Sequence, residues 1–282
     1  MRLLFEKIKL AIQKRTKIAT PQKSYAAWAA KGYLDQPLVS IVIQSHNKSL
    51  EVCHLLPKLR QFKDIEIIVI DDGSSEEHTR RLARALTGAN EFLVRANDLY
   101  ENRTYDKAIR FSNGQFIALL QDDDDFDSRL AWIHRALALF EQHPKMVVLG
   151  GNWGLRLEFD DEKQWGHGMR DDTLKDGFRF VPSVNRAPMW IRRSLFMEHL
   201  HHIDANFAPF QYDDDELCLR AWLKGLQVGW YDAGFKSLTA GGMRLWNQGF
   251  TGEQSQRNGK RLYQMYAHRM KEILSKVDES NR

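Results

Sequence analysis

The chain has 282 residues, 43% of them hydrophobic, with a formal net charge of +4. This is enough for a sizeable core in one large α/β domain or two small ones. No run approaches the ~20 apolar residues that span a bilayer, and the N-terminal apolar residues are broken by lysines, unlike a signal peptide. Cys53 and Cys218 lie far apart without metal-ligand spacing, which suits a reducing compartment and buried thiols. The charge is uneven: residues 1–40 hold eight Lys/Arg against two Asp/Glu, and residues 256–282 hold seven against three, leaving the body between them acidic. A nucleic-acid binder would carry a basic stripe along its body, so no nucleic-acid partner is expected. Two basic ends suit an anionic membrane surface, and hence a cytoplasmic protein peripheral at the inner face of the membrane.

In residues 1–18, Leu4, Ile8, Ala11 and Ile12 recur at helical spacing among lysines and arginines. This predicts an amphipathic helix, either lying on anionic lipid or packed on its own domain. Pro21 ends it, and a short helix and linker run to residue 36. "PLVSIVIQSHN" (37–47) is a continuous apolar strand ending in polar residues, and residues 50–62 read as a helix blemished by Pro57. "IEIIVIDDGSS" (65–75) is a second strand, and Ser74 with Glu77 forms a capping box for a helix through Leu86. Residues 91–95 are a third strand, 102–114 a helix stopped by Gly114, and 115–120 a fourth strand running into Asp122–Asp125. A helix (129–142) and a strand (146–150) follow. Residues 151–186 lose periodicity and read as an insertion or antiparallel segment over the rim. Order returns at 187–196, and "QYDDDELCLRAWLKG" (211–225) opens a helix on a second acidic cluster and closes it with Gly225. A last short strand, a mobile loop (241–259) and a basic helix (about 260–275) complete the chain.

Strands without alternation, separated by helices, imply a parallel sheet covered on both faces. Such sheets bind ligands at the carboxyl ends of their strands. Ser45-His46-Asn47, Asp71-Asp72 and Asp122–Asp125 all stand at such ends. Neighbouring carboxylates repel by roughly 3 kcal/mol at ~5 Å and an effective dielectric of ~20, so water or a cation must relieve the tetrad. Mg²⁺ or Mn²⁺ takes one or two carboxylates plus substrate phosphates, and a solvated acidic turn is the alternative. Asp213–Glu216 sit where a helix dipole favours carboxylates, and one facing a cleft could act as a general base.

Taken in order, "VSIVIQSHN", "IEIIVIDDGSS", "DKAIRFSNGQFIALL", "QDDDD" and "DDDELCLRAWLKG" resemble a family 2 glycosyltransferase over about residues 38–235. The resemblance implies the GT-A (nucleotide-diphospho-sugar transferase) fold: a mostly parallel central sheet flanked by helices, an acceptor-side insertion and a C-terminal helix. It implies three regions: a basic N-terminal helix and linker (1–36), a catalytic domain (37–240, with a nucleotide-sugar half to 125 and an acceptor half from 126) and a C-terminal segment (241–282). Ser45, His46, Asn47, Asp71 and Asp72 would hold the nucleotide, with Asp122 on the nucleotide sugar. Asp123 and Asp124 would bind Mn²⁺ or Mg²⁺, and Asp214 would be the catalytic base. Asp213 and Trp190 fall on the acceptor side, although Trp190 reads equally as a core or lid tryptophan. Arg244 would clamp the diphosphate or stand as a surface arginine. Gln44, His46 and Gln121 replace the family's usual proline, tyrosine and leading aspartate, and Asp213 stands where glutamate is commoner.

The expected reaction is inverting transfer of one sugar from a nucleoside-diphosphate sugar, UDP first, to a glycan or lipid-linked hydroxyl in cell-surface polysaccharide synthesis. No Gln-x-x-Arg-Trp motif of processive synthases occurs in the C-terminal part. Two alternatives remain: a sugar-phosphate nucleotidyltransferase, disfavoured because "QSHNKSLE" lacks glycine, and a non-catalytic carbohydrate- or membrane-binding protein on the same fold.

Overall fold

The computed structural model describes residues 32–186, 188–239 and 247–282. The expected N-terminal amphipathic helix and Arg244 lie outside the described residues. In chain order the elements are β1 (Val39–Ser45), α1 (Ser49–Leu59), β2 (Ile65–Asp72), α2 (Glu76–Ala85), β3 (Glu91–Ala96), α3 (Tyr100–Phe111), β4 (Phe116–Gln121), β5 (Asp124–Asp125), α4 (Ala131–Gln142), β6 (Met146–Gly150), β7 (Gly154–Asp160), β8 (Trp165–Arg170), β9 (Phe178–Phe180), β10 (Ser183–Val184), β11 (Met189–Arg192), α5 (Asp213–Leu223), β12 (Gln227–Tyr231), β13 (Lys236–Ser237), α6 (Gln248–Tyr266) and α7 (Met270–Ser280).

Eight strands form one sheet in the order β3-β2-β1-β4-β11-β6-β12-β9. The first four are mutually parallel. Every residue of β2 is buried, as unbroken Val/Ile runs require when helices cover both faces. The acid inside that run, Glu66, accepts from Ser40 Oγ at 2.5 Å and from Asn113 N and Nδ2 at 2.6 and 3.1 Å. Gly114 is required there: a Cβ would stand 2.5 Å from Ser40 N. The residue read as a helix stop is thus a close-approach residue, and α3 has already ended at Phe111.

The irregular stretch after β6 is antiparallel. β11 inserts between β4 and β6, antiparallel to both, and β7, β8 and β10 form a separate three-stranded sheet. Trp190, on β11, is fully buried. Its Nε1 donates to Tyr231 Oη at 3.1 Å, and its ring lies 5.2 Å from that of Trp132. It is packed as a core residue.

Two further expectations change. Ser74 does not cap α2 through a box with Glu77; its hydroxyl accepts from Asn47 N at 2.8 Å. The loop expected at 241–259 is helical from Gln248 onward, with Asn247 Oδ1 accepting from Phe250 N at 3.1 Å. Glycines hid this helix from a propensity reading. Gly259 is there for packing, since a Cβ would lie 1.9 Å from Trp165 Nε1.

Candidate active site

The carboxyl ends of β1, β2 and β4 meet at one rim. Ser45, the last residue of β1, is buried and its hydroxyl has no partner among the described residues. Past it the chain turns through Asn47 at φ 57°. His46 N donates to Asp122 Oδ2 at 2.9 Å, and Asn47 Oδ1 accepts from Ser75 N at 2.9 Å. His46 Nδ1 lies 2.7 Å from the Asp72 carbonyl, which can only accept, so Nδ1 carries the proton. Nε2 is then the acceptor for Asn47 Nδ2 at 3.0 Å. The exposed His46 and Asn47 are thereby locked in place at the rim.

Asp71 and Asp72 end β2 and are both engaged by protein donors. Asp71 is wholly buried and accepts from Ser74 N at 3.2 Å and Thr79 Oγ1 at 2.5 Å, which ties down the start of α2. Asp72 accepts from Leu99 N, Tyr100 N and Gln44 Nε2 at 2.8, 2.7 and 3.1 Å. Both carboxylates thus tie the end of β2 to the turns around it.

The four aspartates after β4 divide by partner. Lys48 Nζ lies 3.6 Å from both Asp122 and Asp123, each of which keeps some exposed surface. Asp124 is buried and folds back on Gln121 N at 2.9 Å. Asp125 is paired with Lys58. Burial pushes Asp122 up to about 6, against the pull of the His46 N–H and Lys48. It pushes Asp124 well above the usual carboxylate range. Lys48 and Lys58 therefore offset part of the repulsion in the tetrad.

Among the described residues no group of three or more His, Cys, Asp and Glu is arranged to hold a metal ion. Asp122 and Asp123 keep some exposed surface, whereas Asp124 is buried and Asp125 is taken by Lys58. Two adjacent hard carboxylates still fit Mg²⁺ or Mn²⁺, because such ions complete their shell with substrate phosphates and water. Lys48, which the sequence reading passed over, already brings positive charge to this pair.

The second cluster opens α5 behind two consecutive left-handed residues, Gln211 (φ 78°) and Tyr212 (φ 63°). Three of its acids have no open surface: Asp213 is 0%, Asp215 2% and Glu216 1% exposed. Asp213 is ion-paired with buried Arg186. Asp215 accepts from Ser183 Oγ at 2.6 Å and Gly168 N at 3.1 Å. Glu216 is held by Arg220 at 2.8 Å and Tyr266 Oη at 2.9 Å. Asp214 alone is partly exposed. Its Oδ1 accepts from Asp215 N at 3.1 Å. Burial raises its carboxyl, opposed by the Arg186 guanidinium and reinforced by Asp213.

A polar bridge joins the two clusters. Gln121 Nε2 donates to Glu101 Oε1 at 3.1 Å, Arg186 Nη1 donates to Glu101 Oε2 at 3.0 Å, and Arg186 Nη2 reaches Asp213. Glu101 and Arg186 carried no sequence signal beyond a first-turn acid and one arginine in an aperiodic stretch.

A mainly parallel sheet, an antiparallel strand inserted beside β4 and an acidic turn at the rim define the GT-A class of α/β fold. The sequence profile of glycosyl transferase family 2 matches residues 40–200, more than half of the chain. The chain belongs to glycosyl transferase family 2. Asp214 lies beyond the matched residues. The fold is similar to that of S. aureus TarS (residues 1–349) in complex with UDP-GlcNAc, with TM-score 0.56, 14% identity, and 74% of this chain and 60% of that one covered. It is also similar to GalNAc-T7 with UDP, GalNAc and Mn²⁺, with TM-score 0.55, 15% identity, and 71% and 43% covered. The chain thus spans less than two thirds of these relatives. A search of the curated proteins gives no match.

Proposed function

We propose that the protein is an inverting glycosyltransferase that moves one sugar from a nucleoside-diphosphate sugar to an acceptor hydroxyl. One observation carries this reading: of the four acids opening α5, only Asp214 combines open surface with a carboxyl raised toward neutrality. That combination suits a general base. UDP is the first choice of nucleotide, because TarS and GalNAc-T7 are solved with UDP-GlcNAc and with UDP. GalNAc-T7 is solved with Mn²⁺ as well.

Oδ1 of Asp214 is engaged by the Asp215 N–H, which leaves Oδ2 to take the proton from the acceptor hydroxyl. The deprotonating oxygen attacks the anomeric carbon from the face opposite the nucleotide, the C–O bond to the diphosphate breaks, and configuration inverts. Asp122 and Asp123 would hold Mn²⁺ or Mg²⁺, whose chemistry there is to offset charge on the departing diphosphate. Lys48 shares that task as a point charge beside the phosphates. The acceptor is a glycan or lipid-linked hydroxyl, and the basic chain ends motivate an anionic membrane surface as the place of action. Among the described residues no helix is long and apolar enough to cross a membrane.

Thermal shifts with UDP, GDP, dTDP and ADP, each with Mn²⁺ and with EDTA, test the donor site. A ligand at ~100 times its dissociation constant adds about 2.7 kcal/mol. One nucleotide is expected to stabilise in a metal-dependent way. Asp214→Asn should retain that stabilisation while turnover of the matching donor falls by about 10²–10⁴. A flat nucleotide panel, or full turnover by Asp214→Asn, would sink the reading.

A further inference from the structure

A cleft of about 400 Å³ lies on the β7–β8 hairpin, lined by Glu158, Phe159, Asp160, Lys163, Trp165 and His167. That size is within the roughly 300–1,000 Å³ of small-ligand sites. In the β7–β8 ladder Glu158 stands directly opposite His167 and Asp160 opposite Trp165, so these four side chains share one face of the hairpin. The Trp165 and His167 rings lie 4.3 Å apart. Trp165 is fixed from behind, since its Nε1 donates to Ser255 O at 3.2 Å and α6 presents a glycine, Gly259, to its ring. Each acid already has a basic neighbour: Arg156 is 3.2 Å from Glu158, and Lys163 is 2.9 Å from Asp160. The cleft is therefore polar without strong net charge, which disfavours an ionic ligand. One buried polar atom, His167 Nδ1, has no partner among the described residues. Burial lowers this imidazole from its ordinary value, so near neutral pH it offers one donor and one acceptor, as a hydroxyl does.

The cleft adjoins the helix that carries Asp214. The Tyr212 ring is 6.1 Å from that of Trp165 and 6.4 Å from that of His167, and Gly168 N donates to Asp215 at 3.1 Å. We infer that this cleft is a subsite for a neutral pyranose ring of the acceptor, stacked on Trp165 and hydrogen-bonded by His167 and Glu158. The inference rests on the glycosyltransferase reading and goes beyond it in naming the acceptor class and where the acceptor is held.

Saturation-transfer NMR with lactose, cellobiose, maltose and N,N′-diacetylchitobiose tests it on the wild type, His167→Phe and Glu158→Gln. Trp165 is left intact because α6 packs on it, and unchanged melting temperatures confirm that the two variants fold. At least one disaccharide should bind the wild type in the millimolar range. His167→Phe, which keeps the aromatic surface, should weaken it by about tenfold, the size of one good hydrogen bond. UDP stabilisation should be the same in all three proteins. No disaccharide binding, or equal binding by wild type and both variants, overturns the subsite. If UDP binds in either of those cases, the subsite alone fails; if UDP fails to bind too, the glycosyltransferase reading falls with it.

Discussion

Asp122 illustrates how a site residue works against the fold that holds it. Burial raises its carboxyl to about 6, so the folded chain binds this proton more tightly than the unfolded chain does. Stability contributed by such a group is full below the unfolded value and is lost as pH rises through the folded one. A rise of about two units sets a ceiling of roughly 3 kcal/mol on that loss. Partial exposure and the Lys48 contact reduce it to about 1 kcal/mol. Asp122→Asn, which can still accept from His46 N, should therefore melt higher than wild type in EDTA at about pH 8, with the gap closing near pH 4. A variant less stable at both pH values would mean that the carboxylate stabilises the rim. With Asp214 as the proposed base, the acid limb of the rate profile should lie above the ordinary carboxylate range, because burial also raises Asp214. None of this was readable from residue types: sequence showed four adjacent acids, and only burial and partners separate the accessible pair from the buried Asp124.

At the scale of elements, the parallel strands and α5 were legible because their signals are local. β1 and β2 are rich in Val and Ile, and α5 ends in a Schellman motif, with Gly225 at φ 77° and Leu226 N donating to Ala221 O at 3.0 Å. The first part of α6, before the helix expected from about residue 260, was illegible because its reason for forming is tertiary. It packs Gly259 on Trp165, and it supplies Asn258, which is wholly buried. Asn258 Nδ2 donates to Phe207 O, Phe210 O and Gln211 O at 2.8, 2.9 and 2.9 Å. Those carbonyls belong to the loop that enters α5 through two left-handed residues. Each such residue stores on the order of 1–3 kcal/mol and persists only when its surroundings hold it. Asn258→Ala should cost about 1–3 kcal/mol of stability. Its larger effect should be on kcat, with UDP binding unchanged, because the Asn258 amide bonds to the loop before α5 and not to β1 or β4. Melting curves, nucleotide titrations and initial rates on one preparation separate these effects. A variant that loses stability but keeps its kcat would show that Asn258 holds the loop without positioning Asp214.

The whole molecule depends on one connection that no segment reveals. The acidic turn after β4 and the acids of α5 are about ninety residues apart in sequence, and the family profile ends before α5. Arg186 closes that distance: its side chain is 5% exposed, its partner Asp213 1%, and Glu101 shares the guanidinium. Removing one member of a buried pair costs about 3–5 kcal/mol, whereas removing both charges costs much less, because the penalty lies in the charge left alone. Arg186→Met should thus melt far below wild type, and Arg186→Met with Asp213→Asn should regain most of the loss. A double-mutant cycle in denaturant, with Asp213→Asn as the second single variant, should give a coupling of at least about 1 kcal/mol. The folded double variant then asks the functional question. If the bridge sets Asp214 against the donor rim, its kcat stays low while UDP still binds. A double variant with wild-type kcat would make the bridge a purely structural tie, and simple additivity in the cycle would mean that Arg186 and Asp213 do not act as a pair.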